Sequence, residues 1–274
     1  MLTRFTQSLA AAAVLLSPVL AAFAPAHAGV GDLLVAPTRI VLDGRRGTEV
    51  ILNNIGEEEA TYRISVELRR MTKAGELEDV PAPSAEELAA QAMILYAPRR
   101  VTLPPRQPQA IRISARAPQG LADGEYRVHL LFRAVPPPRP VAKPGEVKGV
   151  AISLTPIYGV TIPVIVRLGN LSAKAGIADV HVAKMDGKPA IAFDLSRSGD
   201  RSTFGEIRVF KPGVVEPIAL QRGVAVYKEI SDRTVTIPVS DKYTGALSGP
   251  VTVQYVESAE EGGRTLAETQ VVLR

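Results

Sequence analysis

The sequence predicts an all-β protein made of two β-sandwiches in tandem. Three observations carry this expectation. Short segments of alternating apolar and polar residues recur along the 274 residues, separated by Gly, Pro and Asn turns at the spacing of a sandwich. Cysteine is absent, and 22 Gly with 22 Pro leave little room for long helices. Finally, the run from Val150 to Val166 is apolar or aromatic at every even position and carries no charge until Arg167. That is the period-two pattern of one strand face, over a length far beyond the usual strand of about 5–6 residues.

Taken in order, the chain opens with Arg4, an apolar stretch from Leu9 to Phe23 and the small-residue site Ala26-His27-Ala28. These are the three parts of a secretory signal peptide, so residues 1–28 are expected to be removed on export. Strands are expected over Leu33–Leu42, Glu49–Leu52, Thr61–Leu68, Ala110–Ala115, Tyr126–Val135 and Val150–Val166. One helix interrupts them, opened by the capping box Ser84-Ala85-Glu86-Glu87. The proline-rich stretch Pro136–Gly145 is a stiff connection into the long strand. Gly169–Ser172 reads as the linker, dividing a first domain over 29–168 from a second over 169–274. Beyond it strands are expected over Ala178–Ala183, Ala190–Leu195, Glu206–Phe210, Val224–Glu229, Thr234–Val239, Val251–Val256 and Leu266–Leu273. The first two are joined at Asp186-Gly187, a strong tight-turn signal.

The search for chemistry is brief. The net charge is +4, but the charges are mixed along the chain, with neither a basic block nor an aromatic platform, so no nucleic-acid partner is expected. Only His129 and His181 lie beyond the signal, and without cysteine a zinc site of the usual ligand types is not expected. Nucleophile-elbow and P-loop motifs are missing, and Gly29-Val30-Gly31 lacks the rest of a dinucleotide fingerprint. Glu57-Glu58-Glu59 and Glu260-Glu261 sit among turn residues and read as solvated loops rather than as a catalytic carboxylate pair. His129 lies in an alternating strand and reads as structural. The expectation is a non-enzyme with no catalytic residue, metal or cofactor. A long apolar strand at a sheet edge is an aggregation hazard unless something covers it, which points to a protein that donates this strand to a partner.

Three stretches of the first domain carry a family resemblance. They are Val35-Ala-Pro-Thr-Arg-Ile-Val-Leu42 with Leu52-Asn-Asn-Ile-Gly56 and Tyr62-Arg-Ile-Ser-Val66; Tyr96-Ala-Pro-Arg-Arg-Val-Thr-Leu-Pro-Pro105 with Gln109-Ala-Ile-Arg-Ile113; and Leu121-Ala-Asp-Gly-Glu-Tyr-Arg-Val-His-Leu-Leu-Phe-Arg-Ala-Val-Pro136. With the long strand ending at Arg167, they resemble the periplasmic pilus-assembly chaperones, the PapD-like family. The second domain matches more loosely, through Gly205–Val209 and Val224–Tyr227.

The resemblance implies two immunoglobulin-like sandwiches in a boomerang arrangement with a cleft between them. It implies a periplasmic chaperone that caps fimbrial or pilus-type subunits by donor-strand complementation and passes them to an outer-membrane usher. Carried over by position, Arg39 matches the cleft arginine that grips a subunit's C-terminal carboxylate. Val150, Ile152, Leu154 and Tyr158 match the donor strand, with Pro156 also on that face, while Ile162, Val164 and Val166 are expected in the core. Glu125 and Arg167 match an interdomain charge pair whose third, acidic member has no clear counterpart, although Asp241 lies nearby. The family's second cleft cation, a lysine four residues before the strand-end arginine, is Pro163 here. The common second-domain disulfide is also absent. The resemblance leaves room for two other outcomes: a tandem binding or structural protein without capping activity, and self-capping as a homodimer through the exposed edge.

Overall fold

In the computed structural model, which describes residues 32–136 and 157–274, the alternating segments pair into two β-sandwiches with separate cores. The first is built from β1 (Leu33–Ala36), β2 (Ile40–Leu42), β3 (Thr48–Asn54), β4 (Ala60–Glu67), β5 (Arg69–Met71), β6 (Leu77–Asp79), helix α1 (Ala85–Met93), β7 (Ile94–Ala97), β8 (Arg100–Leu103), β9 (Pro108–Ala115), β10 (Gly124–Val135) and β11 (Gly159–Leu168). One sheet runs β1-β3-β9-β7 and the other β2-β11-β10-β4-β8, while β5 and β6 form a separate hairpin. In immunoglobulin lettering the sheets are A-B-E-D and A′-G-F-C, with β8 added beyond C.

Local chemistry explains the departures from the sequence expectation. Leu33–Leu42 is not one strand: it breaks at Pro37-Thr38-Arg39, so β1 joins one sheet and β2 the other. Arg39 is thereby placed at the crossover. The capping box at Ser84 forms with both of its hydrogen bonds, and α1 buries Ala90 and Met93. At the start of β10 the Tyr126 hydroxyl donates to the carbonyl of Ala122 at 2.7 Å, the tyrosine corner of an immunoglobulin sandwich. Of the run Val150–Val166, the described part enters β11 at Gly159, and Val150–Pro156 lies outside the described residues.

The second sandwich comprises β12 (Ala173–Met185), β13 (Lys188–Gly199), β14 (Thr203–Phe210), β15 (Ala219–Val226), β16 (Asp232–Pro238), β17 (Gly249–Glu257) and β18 (Thr265–Leu273). Its sheets run β12-β13-β16 and β15-β14-β17-β18. Asp186 and Gly187 both take positive φ, 53° and 77°, as the two-residue turn between β12 and β13 requires. The expected strand Val224–Glu229 instead stops at Val226, and Tyr227-Lys228-Glu229 leaves the sheet as a turn.

The two long strands β10 and β11 determine how the sandwiches meet. Even-numbered residues of β10 (Val128, Leu130, Phe132) and of β11 (Ile162, Val164, Val166) fill the first core. Their odd-numbered faces also bury Glu125, His129 and Ile165, because that side is covered by the second sandwich. Ile165 packs there with Met71, Ala225 and Tyr227 in a third apolar cluster. A strand buried on both faces loses the polar half of its alternation, which is why Val164-Ile165-Val166 reads as a continuous apolar run.

Replacing Tyr126 with Phe removes the hydroxyl bond and little else. The variant is expected to lose about 1 kcal/mol of stability. In urea this appears as a lower unfolding midpoint at unchanged slope.

Candidate functional site

Residues directly opposite each other on β10 and β11 share a face, and the register pairs Glu125 with Arg167, Arg127 with Ile165 and His129 with Pro163. This outward face of the first sandwich is an interface. Two turns of the second sandwich grip it. One holds the 3-10 turn Ala259–Glu261 between β17 and β18. The other is Tyr227-Lys228-Glu229-Ile230, between β15 and β16.

At the first contact the Glu261 carboxylate sits among three arginines. Arg39 donates to Oε1 from Nη2 at 2.9 Å and from Nε at 3.3 Å. Arg167 Nη1 donates to Oε2 at 2.8 Å, and Arg201 Nη1 reaches the same oxygen at 3.3 Å. Arg167 also gives its Nε to Glu125 Oε2 at 2.9 Å, while Glu125 Oε1 accepts from the backbone N–H of Ser202 at 3.0 Å. Arg201 closes the chain by donating to Glu257 at 2.8 Å. The Arg39 guanidinium stacks over the Phe204 ring at 4.3 Å. Burial opposes ionisation of Glu261, but Arg39 and Arg167 outweigh it and hold the carboxyl below its ordinary range.

The second contact has a different make-up. Arg127 donates to both oxygens of Glu229, at 2.6 and 3.0 Å, and lies 3.6 Å over the Tyr227 ring. Glu229 Oε1 also accepts the backbone N–H of Met71 at 2.7 Å, which ties the β5–β6 hairpin to the second sandwich. The same hairpin adds Lys73 with Asp232 at 3.0 Å, and Glu86 of α1 pairs with Lys228. His129 lies edge-on to Tyr227 at 6.5 Å, with no hydrogen-bond partner for either ring nitrogen. Burial, with the nearby Arg127 and Arg69, pushes its pKa down to about 3, so the ring is neutral.

The structure brings Arg39, Glu125 and Arg167 into this one network. Glu125 and Arg167 pair with each other inside the first sandwich, and each separately reaches the second, through Ser202 and Glu261. The acidic member without a counterpart in the sequence reading is Glu261; Asp241 pairs instead with Lys188 at 3.5 Å on an exposed surface. Glu260-Glu261 as a solvated loop is therefore corrected at Glu261, whose side chain is 9% exposed. Arg201, Glu257 and Glu229 were also not foreseen. A clue existed for the partner of Arg39: an arginine directly before the core residue Ile40 that is itself buried needs a counter-ion nearby. Tyr158 is exposed, just before β11, and its carbonyl accepts from Ala134 at 2.9 Å. Val150, Ile152 and Leu154 lie outside the described residues. Among the described residues no cluster of His, Cys, Asp or Glu is arranged to hold a metal ion.

Beside Arg39 a cleft of about 640 Å³ runs between the sandwiches, lined among others by Pro37, Thr38, Phe204, Ser258 and Gly263. Beyond Arg39, the lining of this cleft carries charges of both signs, including Glu206, Arg208, Arg222 and Glu260. Next to Arg39, β11 has β10 along its whole length on one side and β2 only at Val164–Val166 on the other. Among the described residues, nothing pairs with Gly159–Pro163 on the side away from β10.

Comparison with solved structures finds similar chains at low identity. The E. coli chaperone DraB matches at 14% identity and a TM-score of 0.46, over 89% of this chain and 99% of its own. The Pseudomonas aeruginosa CupB2 chaperone matches at 14% and 0.46, over 88% and 100%. A chain of the Salmonella enterica SafA pilin–SafB chaperone complex matches at 15% and 0.45, over 89% and 97%. Its structural neighbours are fimbrial chaperones. No family model and no curated sequence matches the chain.

Two outcomes test the interface. Glu125→Ala leaves Arg167 and the Ser202 N–H short of a buried partner and is expected to cost about 3–5 kcal/mol in a denaturant melt. The second concerns acid. A His whose folded pKa lies near 3 against an ordinary 6.5 gives stability that is complete above 6.5 and declines below it. The loss is about 1.4 kcal/mol per pH unit down to the folded value. His129→Leu is expected to flatten the stability profile between these two values. The carboxyl of Glu261, held below 4.5, adds a further loss as pH falls through its folded value, and that part persists in the variant.

Proposed function

We propose that this protein is an exported chaperone that caps fimbrial or pilus-type subunits by lending them a strand. The observation that carries the reading is the edge of β11. From Gly159 to Pro163 its outer side is unpaired among the described residues, and the chain leading into it alternates apolar residues at Val150, Ile152, Leu154 and Tyr158. Strand addition at such an edge supplies main-chain hydrogen bonds for affinity and alternate side chains for specificity. Each fully buried Ile or Leu adds roughly 1.5–3 kcal/mol. The three sequence stretches that resemble the PapD-like family support the same reading, and it needs no nucleotide, metal or catalytic residue.

In this reading residues 1–28 direct export to the periplasm, 29–168 form the capping domain, and 169–274 form the second domain. Arg39, beside the cleft, receives a subunit's terminal carboxylate, for which a guanidinium offers parallel donors. The Glu125–Arg167 pair holds the strand ends that frame the cleft. The onward partner is an outer-membrane usher, and in the absence of subunits the open edge pairs with a second copy of the chain.

The test is capture from the native periplasm with tagged protein carrying its own signal, followed by mass spectrometry. A stoichiometric small β-rich subunit is expected, lost when Ile152 and Leu154 are both changed to Asp while the protein's melting profile is unchanged. A soluble protein with no partner, recovered from cells assembling surface fibres, overturns capping in favour of a tandem binding or structural protein.

A further inference from the structure

Backbone bonds close the turn that carries Glu261, its own N–H donating to Ser258 at 3.0 Å, but its side chain is held only by the ion pairs of its carboxylate. Glu261 ends a three-residue 3-10 turn whose N-cap, Ser258, makes no side-chain capping bond. The turn is followed by Gly262 and Gly263, at φ of 124° and 66°, conformations open to glycine and rarely adopted by other residues. No residue of the turn packs into the second core. By contrast its carboxylate accepts from Arg39, Arg167 and Arg201.

The arginine cradle has donors to spare. Arg39 Nη1 and Arg167 Nη2 are buried without a hydrogen-bond partner. Without Glu261, three guanidinium groups would face only Glu125 and Glu257, a surplus of positive charge shaped to receive one carboxylate. The cleft lined by Pro37, Thr38, Ser258 and Gly263 gives an approach to Arg39 from solvent.

We infer that Glu261 is a displaceable internal ligand: the cradle of Arg39, Arg167 and Arg201 is a carboxylate-binding site that the protein fills with its own side chain. An incoming carboxylate takes Arg39 by exchange with Glu261, which swings out on its glycine-flanked turn. The exchange breaks the ion pairs of Glu261 at the first contact and leaves the Ser202–Glu125 bond and the Tyr227–Ile230 contact in place. Binding of a partner is thereby linked to loosening at the cleft. That the incoming carboxylate belongs to a captured subunit rests on the capping reading; the exchange does not.

The test is chemical rescue of Glu261→Ala in the full exported chain. Thermal unfolding is followed in sodium acetate and in sodium chloride of equal ionic strength, with acetamide as the neutral control. The variant is expected to melt below wild type in chloride. Acetate on the order of 100 mM should recover part of that shift, as any ligand of the folded state does. Wild type should respond equally to both salts. A variant that gains no more from acetate than from chloride overturns the inference.

Should Glu261→Ala fail to fold in every condition, Glu261→Gln carries the test, since it keeps the shape and loses the charge. Its Arg39 Nε–H resonance is expected to move saturably with acetate and not with acetamide, and a resonance indifferent to acetate is the overturning result. In the periplasmic capture assay Glu261→Gln should retain several-fold more partner than wild type. No capture by any version would sink the capping reading and leave the acetate result standing.

Discussion

A buried carboxylate costs several kcal/mol unless donors surround it, and Glu261 is surrounded by arginines drawn from three separate parts of the chain. Arg39 comes from the crossover between β1 and β2, Arg167 from the end of β11, and Arg201 from the turn before β14. None of these charges can be buried alone. Arg167 and Arg201 each have a carboxylate in their own sandwich, Glu125 and Glu257, but Arg39 is paired only when the two sandwiches lie against each other, so the network sets their relative placement by refusing arrangements that leave Arg39 unpaired. The Ser202 N–H on Glu125 adds direction, because a backbone donor cannot relocate as a long side chain can.

The apolar part of the interface depends on the same placement. Ile165 and Tyr227 are fully or nearly buried only because the polar groups on either side of them, Glu125–Arg167 and Arg127–Glu229, hold the faces in contact. The β5–β6 hairpin extends this surface with Met71, and its own backbone is satisfied by Glu229. His129 shows the consequence for electrostatics. Pressed between arginines and an aromatic ring, it can be buried only as the neutral imidazole, so it resists protonation instead of serving as a base.

Most of the longer strands, the capping box at Ser84 and the Asp186-Gly187 turn were legible in the sequence because each rests on neighbours within a few residues, whereas the short strands β5 to β8 were not expected. Other features that escaped it are fixed by distant partners. Leu33–Leu42 is mostly apolar on both sides of Pro37-Thr38-Arg39, and only the two-sheet geometry shows that it splits there. Val224–Glu229 reads as one strand, yet Tyr227 and Glu229 serve the other sandwich rather than their own sheet. Glu261 looked like a loop residue because acidic residues beside two glycines are usually solvated; its partners lie 60, 94 and 222 residues away. Arg39, Glu125 and Arg167 were found through resemblance, which transmits position without transmitting contact.

Pro163 gives the network its final constraint. It occupies the place where the resembled family carries a second cleft cation, and in the register it stands opposite His129. A lysine there would set another positive charge on the face that already buries Arg127 and Arg167 and that holds His129 neutral. Proline adds no charge to that face, and Arg39 already carries a carboxylate of the same chain on its fork. On the proposed reading a partner's carboxylate therefore contributes only the difference between two ion pairs, its own and that of Glu261, which is small beside the burial of several strand side chains. Affinity then resides in the apolar edge and its backbone bonds, and the carboxylate reports that the strand has entered in register.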